Sequence, residues 1–437
     1  MINPIYVIYT CLTGGLFLYV FPEFWLYTIL SGRYRAGLKE RLGFVPQTLV
    51  KELKHRKRIW IHAVSVGELQ VAAPIMEAVN AIRSDCAFII STTTEQGRKV
   101  ARDMFGANFP LIYAPLDFIG SVYKALNSVR PHVMVFLETE IWPNWVAEAN
   151  RRGIRIGLIN GRISVRSLAS YMKFRPFMRM VLKNFDIFSM ILDEDARRIR
   201  LMGADPAKIE VNGNAKYESL IFRKDPSIPD RMQHILNILP YHKVFIAGST
   251  RSGEEEIILG VYKKILIQFP ETILILVPRH VERTPAIESL VRGYGFSCCL
   301  RSAIHPPNRV RTEQVVIVDT IGELFDLYSV GTIIFCGASL VPLGGQNPLE
   351  AAVWGKPVFY GPSMEDFLDA KQLLEKGGAG IEVRNGDMLA EKALWFLNHP
   401  EELKALGCRA CNAVSVNKGA AKRHAEAICR LLISANC

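Results

Sequence analysis

Apolar runs of strand length alternate with amphipathic stretches along most of the chain, beginning near residue 59. Near-continuous apolar runs are typical of strands that are buried on both faces of a parallel sheet, and the amphipathic stretches are typical of the helices that cover it. The pattern predicts strands at 59–64, 86–92, 133–138, 155–160, 187–192 and 208–213, and a second series at 243–249, 272–278, 315–320, 332–337, 356–361 and 379–383. This rhythm indicates an α/β protein with two doubly wound halves.

The rhythm breaks at residues 217–232, where two prolines and mixed charge predict a linker. We therefore expect domains at 31–216 and 233–412, followed by an amphipathic C-terminal helix at 413–437. Ligands of doubly wound sheets bind beyond the carboxyl ends of the strands. Functional residues should lie directly after the predicted strands, facing a cleft between the halves.

The first 22 residues carry no charge, and a bilayer-spanning helix needs about 20 apolar residues. Nine Lys or Arg and only two Glu follow between residues 33 and 58, which favours a cytoplasmic position for that side and attraction to anionic lipid. We predict an uncleaved signal-anchor at 1–30 in the inner membrane, with the other domains on the cytoplasmic side. A monotopic helix, a buried core helix and a cleaved signal peptide are the alternatives. The last lacks a basic leading region and a small-residue cleavage site.

The net charge is 53 − 42 = +11, which favours anionic partners such as a phosphorylated substrate or an acidic membrane. No nucleic-acid-binding motif accompanies this charge, so nucleic acid is not an expected partner. The nine cysteines are irregularly spaced and indicate reduced thiols in the cytosol. Cys408 and Cys411 form a lone CxxC without a second pair, so no metal site is expected.

Polar residues follow the strands of the first half. Glu68 comes after Gly67 at a strand-to-helix turn, where it could take a proton from an acceptor hydroxyl or simply stabilise the helix dipole. Glu138 opens a crowded polar loop at 138–144. Lys216 follows the last strand and is either a partner for an anionic substrate group or a solvated surface residue.

The second half shows a similar arrangement. Ser249 and Thr250 precede a helix and predict a phosphate seat, although the GK[ST] ending of a Walker loop is absent. Arg279 follows the next strand and could bind phosphate or carboxylate oxygens in a bidentate manner. The glycine loop at 344–350 leads into a helix whose Glu350 could bind a ribose.

Twelve short motifs, in order, resemble those of the bacterial Kdo transferases, which move 3-deoxy-D-manno-octulosonic acid (Kdo) from CMP-Kdo onto a lipid A precursor. The resemblance covers nearly the whole chain and implies the GT-B fold: two Rossmann-like domains, the first binding acceptor and the second nucleotide. The motifs are KERLGF (39–44), HAVSVGE (62–68), STTTEQG (91–97), PLD (115–117), ETEIWPN (138–144), NGRIS (160–164), GNAKY (213–217), GSTRSGEE (248–255), PRHVER (278–283), DTIGEL (319–324), GASLVPLGGQNPLEAA (337–352) and GP (361–362).

The resemblance also implies residue roles. The proton acceptor of the family falls on Glu68, and its transition-state stabilisers fall on Glu138 and Lys216. Gln346 stands where the family usually has a histidine, and 351–355 reads AAVWG where many members have a proline. The implied CMP contacts are Pro278, Arg279, Ile321, Gly322, Glu323, Asn347, Pro348, Leu349 and Glu350.

The expected function is inverting transfer of one or several Kdo units to a lipid A precursor (lipid IVA) in lipopolysaccharide core biosynthesis. No cofactor or metal is expected, because CMP-Kdo carries no pyrophosphate for a divalent ion to bridge. Two alternatives share the fold: a GT-B enzyme that uses a UDP-sugar (transferase or 2-epimerase), and a non-catalytic membrane protein that binds lipid A.

Overall fold

The computed structural model describes residues 4–31, 37–51, 53, 55–106, 109–305 and 308–434. The chain divides into two compact units. The first comprises Met1–Lys216 together with Asn417–Cys437, and the second comprises Tyr217–Val416. The first unit is therefore built from two separate segments of the chain.

The first unit contains a seven-stranded sheet in the order β3-β2-β1-β4-β5-β6-β7, in which all paired strands are parallel. Six strands confirm the predicted apolar runs, whereas β3 was not predicted. The strands are β1 Lys57–His62, β2 Cys86–Thr92, β3 Leu111–Tyr113, β4 Val133–Leu137, β5 Arg155–Gly161, β6 Ile187–Met190 and β7 Ile209–Val211.

Helices cover both faces of this sheet. Alternation along β1 sends Trp60 into one buried cluster and Ile59 and Ile61 into the other, as expected for a strand buried on both sides. The helices are α1 Pro4–Ser31, α2 Leu38–Arg41, α3 Gln47–Lys51, α4 Val66–Ile82, α5 Glu95–Phe105, α6 Ile119–Val129, α7 Pro143–Arg151, α8 Val165–Lys173, α9 Arg175–Leu182 and α10 Asp193–Met202.

The second unit contains its own parallel sheet of seven strands, in the order β10-β11-β9-β8-β12-β13-β14, around one large apolar core. Strand β10 was not predicted, whereas the other six correspond to predicted apolar runs. The strands are β8 Lys243–Thr250, β9 Thr272–Pro278, β10 Cys298–Leu300, β11 Val315–Ile317, β12 Ile333–Cys336, β13 Val358–Tyr360 and β14 Gly380–Glu382.

The helices of this half begin with α11, which starts within the first unit and runs into the second. Residues 217–232, predicted as a linker, lie mostly within α11 and α12. The helices are α11 Ala215–Arg223, α12 Ile228–Ile235, α13 Glu254–Gln268, α14 Thr284–Gly293, α15 Leu324–Tyr328, α16 Leu349–Ala352, α17 Leu368–Lys376, α18 Gly386–Asn398 and α19 Pro400–Ser415. The last helix, α20 Ala420–Ser434, belongs to the first unit and packs beside α4, with Ala425, Ile428 and Leu432 buried.

Helix α1 lies where the sequence predicted a membrane anchor. Within the described residues, no helix has both the length and the apolar character needed to cross a bilayer. The apolar run of α1 contains polar side chains that bond to other parts of the first unit. Tyr9 donates to Asp117 Oδ2 (2.7 Å), and Tyr6 and Thr10 donate to Asn144 Oδ1 (3.3 Å each). The basic stretch that follows α1 is described only in part, since residues 32–36, 52 and 54 lie outside the described residues.

Candidate active site

The first group of candidate residues lies at the carboxyl edge of the first sheet. Strands β1 and β4 are neighbours there, and the chain winds away from them in opposite directions, which is where ligands of such sheets bind. Helix α4 begins directly after β1, and Glu68 lies in its first turn. The structure therefore places Glu68 at the start of α4, as the sequence predicted.

Glu68 is held by a reciprocal cap. The Ser65 hydroxyl donates to Glu68 Oε1 (3.0 Å) and accepts the Glu68 backbone N–H (3.3 Å), and the Val64 N–H donates to Glu68 Oε2 (2.7 Å). The residue is only 6% exposed. These bonds fix the carboxyl group in one orientation at the end of the strand.

Burial raises the pKa of Glu68 to about 8, and the negative charges of Glu138 and Glu140 add to this effect. The hydrogen bonds from Val64 and Ser65 act in the opposite direction. A carboxyl group with a pKa near neutrality binds a proton far more readily than an exposed glutamate does. It is therefore suited to general-base chemistry.

Glu138 follows β4 with a left-handed backbone, φ 53°. Such a φ is uncommon outside glycine and costs roughly 1–3 kcal/mol, which the surrounding structure must supply. Two residues later, Glu140 accepts a bond from the Trp142 indole N–H (2.6 Å). Its Oε2 lies 4.0 Å from Nε2 of His62, a fully buried residue of β1. Sequence reasoning did not single out His62, because a lone histidine within a strand is usually a core residue.

Lys216 also reaches this edge of the sheet. It lies in the first turn of α11, where Asn214 Oδ1 accepts its backbone N–H (3.0 Å). Its Nζ lies 3.7 Å from the position that a Cβ on Gly67 would occupy. The ammonium group is therefore beside the turn that carries Glu68, and the first unit brings Glu68 and Lys216 together.

In the second unit, the loop after β8 is stabilised by buried acids. Ser249 has a left-handed φ of 56°, and the Thr250 hydroxyl donates to Glu255 Oε1 (2.8 Å). Arg283 binds the same carboxylate through two nitrogens (2.8 and 3.0 Å). The Thr250 hydroxyl is buried and bonded to Glu255. It therefore stabilises this loop.

Glu254 joins two loops at the carboxyl edge of the second sheet. Its carboxylate is fully buried and accepts four backbone N–H groups. These belong to Arg251 (2.9 Å), Ala338 (2.7 Å), Ser339 (3.0 Å) and Leu340 (3.0 Å). These bonds fix the segment that directly follows β12 to the start of α13.

The remaining candidates lie after neighbouring strands of the same sheet. Arg279 follows Pro278 at the end of β9 and is exposed. Its backbone N–H donates to the Thr250 carbonyl (3.0 Å). Ile321, Gly322 and Glu323 come after β11, and Ile321 is 88% exposed.

In two of these loops, polar side chains already have hydrogen-bond partners within the second unit. Glu323 accepts bonds from Arg301 (2.8 Å) and from the Thr320 hydroxyl. Asn347 Oδ1 accepts the Leu349 N–H (3.1 Å) at the start of α16, next to Pro348 and Glu350. The second unit thus gathers the predicted donor residues at one edge of its sheet.

Across the described residues, no three or more His, Cys, Asp or Glu side chains form a group that could hold a metal ion.

Comparison with known proteins identifies the family. A sequence model for 3-deoxy-D-manno-octulosonic-acid transferase (kdotransferase) matches residues 36–219. The 3-deoxy-D-manno-octulosonic acid transferase of Haemophilus influenzae is 30% identical over 400 residues, which cover 91% of this chain and 92% of that protein. The chain belongs to the Kdo transferase family. This confirms the resemblance inferred from the motifs, and the protein is a glycosyltransferase.

Other members show the same relation. The Aquifex aeolicus Kdo transferase is 30% identical over 361 residues, covering 83% of this chain and 91% of that protein. A bifunctional glycosyltransferase/methyltransferase of Fusobacterium nucleatum is 34% identical over 359 residues, or 80% of this chain. The match spans 55% of that longer protein.

Solved structures support the fold of this Kdo transferase family member. A UDP-GlcNAc 2-epimerase from Neisseria meningitidis superimposes with a TM-score of 0.60 at 15% identity, covering 85% of this chain and all of that one. A glycosyltransferase from Rickettsia africae gives a TM-score of 0.57 at 13% identity, covering 86% and 99%. At these identities the likeness concerns the fold alone. The prediction of two parallel-sheet α/β domains of the GT-B kind is confirmed.

Proposed function

We propose that the protein is an inverting glycosyltransferase that moves Kdo from CMP-Kdo to a hydroxyl of a lipid A precursor. The observation that carries this proposal is the pairing, in a Kdo transferase family member, of a buried carboxyl group of raised pKa with a lysine ammonium beside its turn. Glu68 and Lys216 supply the two charges that such a transfer needs.

The proposed reaction is a single displacement. The carboxylate of Glu68 takes the proton of the acceptor hydroxyl while that oxygen forms a bond to the anomeric carbon of Kdo. The bond from this carbon to the CMP phosphate oxygen breaks, and CMP leaves with the electron pair. Attack opposite the leaving group inverts the anomeric configuration, and the proton ends on Glu68.

Lys216 and Glu138 act on the charges of the reacting sugar. Kdo carries a carboxylate, so an ammonium group at Lys216 is attracted to the donor in both ground and transition states. Glycosyl transfer passes through an oxocarbenium-like transition state, whose positive charge the carboxylate of Glu138 stabilises.

We assign the CMP portion to the carboxyl edge of the second sheet. Arg279 is exposed there and has the geometry to bind the single phosphate with two N–H groups. Ile321–Glu323 and Asn347–Glu350 come from neighbouring loops at the same edge. A monophosphate leaving group carries less charge than a pyrophosphate, so we propose that no metal ion is needed.

We also propose that the protein acts at the cytoplasmic surface of the inner membrane. The acceptor is a phosphorylated lipid, and α1 exposes apolar side chains that include Ile8, Leu12, Leu16 and Leu18. Co-sedimentation with anionic phospholipid vesicles tests this location, and equal recovery with and without vesicles would contradict it.

The decisive experiment incubates the purified full chain with CMP-Kdo and lipid IVA and measures the mass of the lipid. We expect the addition of whole Kdo units. Glu68→Gln should abolish product while CMP-Kdo still binds by calorimetry, because the amide cannot accept the proton. A Glu426→Gln variant, which makes the same charge change on the exposed side of α20, is the matched control. Near-normal turnover by Glu68→Gln, or transfer from a UDP-sugar instead of CMP-Kdo, would contradict the proposal.

A further inference from the structure

The residues that precede Lys216 are bonded by the C-terminal part of the chain. We call residues Asn212–Lys216 the lysine turn, and residues Asn417–Ser434, which include α20, the tail. Both belong to the first unit, although about 200 residues of the second unit separate them along the chain. The tail contacts the turn through side chains that bond to its backbone.

Three consecutive residues of the lysine turn are bonded in this way. Arg423 Nε donates to the Asn212 carbonyl (3.0 Å), His424 Nε2 donates to the Gly213 carbonyl (2.9 Å), and Asn417 Oδ1 accepts the Asn214 N–H (2.8 Å). These three bonds hold two successive peptide groups, 212–213 and 213–214, so the backbone of the turn has little freedom to shift.

The bonds of His424 fix its tautomer. Burial lowers the pKa of His424 to about 4, so the ring is neutral at neutral pH and has one N–H. A carbonyl can only accept, so this N–H is on Nε2, and Nδ1 accepts from the Ser189 hydroxyl (2.7 Å). The Ser189 oxygen in turn accepts from Asn212 Nδ2 (2.6 Å). The chain of bonds therefore returns to the lysine turn.

The turn is closely packed against the tail. Gly213 has a φ of 84°, and a Cβ there would lie 3.3 Å from Asn417 Oδ1 and 3.2 Å from Arg423 Nη2. Asn417, His424 and Asn214 are buried. Breaking one of their bonds therefore leaves a buried polar group with neither a protein partner nor water to bond to.

The sheet holds the opposite end of the turn. Asn160 of β5 accepts the Ala215 N–H at 2.9 Å, and it adopts a left-handed φ of 53° at a break in the β5–β6 register. The lysine turn is thus fixed by the sheet at one end and by the tail at the other. These two sets of bonds together place Lys216 Nζ beside Gly67.

We propose that Asn417, Arg423 and His424 are positioning residues, which act on Kdo transfer by holding the backbone that places the Lys216 ammonium beside Glu68. This inference rests on the proposed function and on the role it gives to Lys216. The tail therefore contributes to the reaction without touching substrate.

A double-mutant cycle tests the proposal. Asn417→Ala removes the acceptor of the Asn214 N–H, and we expect kcat to fall about 10- to 100-fold, as small displacements of catalytic groups do, with little change in KM for CMP-Kdo. In a Lys216→Ala background the same change should cause no further loss of kcat, because the group being positioned is already gone. Arg423→Ala serves as the second variant should Asn417→Ala fold poorly.

Two controls separate positioning from general stability. Lys422→Ala removes an exposed cation from the same helix and should leave kcat unchanged. Asn417→Asp keeps an acceptor oxygen and should recover most of the activity. Equal losses of kcat from Asn417→Ala in both backgrounds would overturn the positioning role, as would a loss that merely follows the unfolded fraction.

The experiments distinguish failure of the proposed function from failure of the positioning role. If the wild-type chain forms no Kdo product, the function itself is overturned, and the positioning role with it. If Lys216→Ala is as active as wild type, the role of the lysine and of the tail is overturned while Kdo transfer stands.

Discussion

Glu68 combines two opposing influences on one carboxyl group. Burial and the nearby carboxylates of Glu138 and Glu140 disfavour its charge, whereas the Ser65 and Val64 donors favour it. Its position after β1 was predictable from the strand pattern and the glycine turn. Its raised pKa was not, because that depends first on burial within the fold and then on carboxylates about 70 positions away in sequence that only the fold brings near.

The pH dependence of the reaction follows from this environment. Glu68 must be ionised to act as a base, so kcat/KM should rise with pH and level off above an inflection near pH 8. Glu140→Gln removes one neighbouring negative charge while keeping an acceptor for Trp142, so the inflection should move to lower pH. Initial rates between pH 6 and 9.5 measure it.

The variant Glu426→Gln controls for the change in net charge and should leave the inflection in place. An inflection that stays where it is in Glu140→Gln would show that Glu140 does not influence the base.

At the scale of elements, the strand ends matter most. Four non-glycine residues with left-handed backbones lie at or just after strand ends on the two sheets: Glu138, Asn160, Ser249 and Ala338. The apolar pattern predicted which strands exist, since buried parallel strands are nearly continuous in apolar residues. It could not predict these distortions, which have no local sequence signature, and it missed strands β3 and β10.

Helix α1 makes contacts that the sequence did not predict. Its uncharged run resembles a membrane span, and the polar residues within it are few. Only the structure shows that Tyr9 finds a partner in Asp117, which also accepts the N–H groups of Asn144 (3.0 Å) and Trp145 (3.3 Å) at the start of α7. Asp117 thus caps α7 and also binds α1.

We expect Asp117→Ala to destabilise the first unit by about 1–3 kcal/mol, because two N–H groups lose their acceptor, and to expose α1 to protease. Tyr9→Phe removes only the bond to α1. It should increase cleavage within α1 with a smaller effect on thermal unfolding. Limited proteolysis with mass analysis and a thermal melt measure both effects. Equal protection of α1 in all three proteins would mean that Asp117 does not hold it.

At the scale of the whole molecule, the two units have separate cores and separate sets of candidate residues. The proposed base and lysine belong to the first unit, and the proposed CMP contacts belong to the second. The motif order predicted this assignment of residues to halves. It could not predict that the end of the chain returns to the first unit, because an amphipathic helix does not specify the surface that it covers.

The assignment of CMP to the second unit predicts a ligand-dependent melt. CMP at 100 times its Kd should stabilise the unit that binds it by about 2.7 kcal/mol and raise its Tm. Arg279→Ala should abolish most of this shift, whereas Glu68→Gln should retain it. Differential scanning calorimetry with CMP, and with UDP for comparison, measures the shift. A larger shift with UDP would contradict a cytidine donor.

Because the second unit is inserted between the two segments of the first, protein synthesis imposes an order on maturation. A ribosome releases the strands of the first sheet early, yet α20 emerges only after the whole second unit has been translated. The nascent chain can therefore fold its second unit before the lysine turn acquires the three bonds from the tail. With the tail in its proposed positioning role, transferase activity would appear only after α20 has been made.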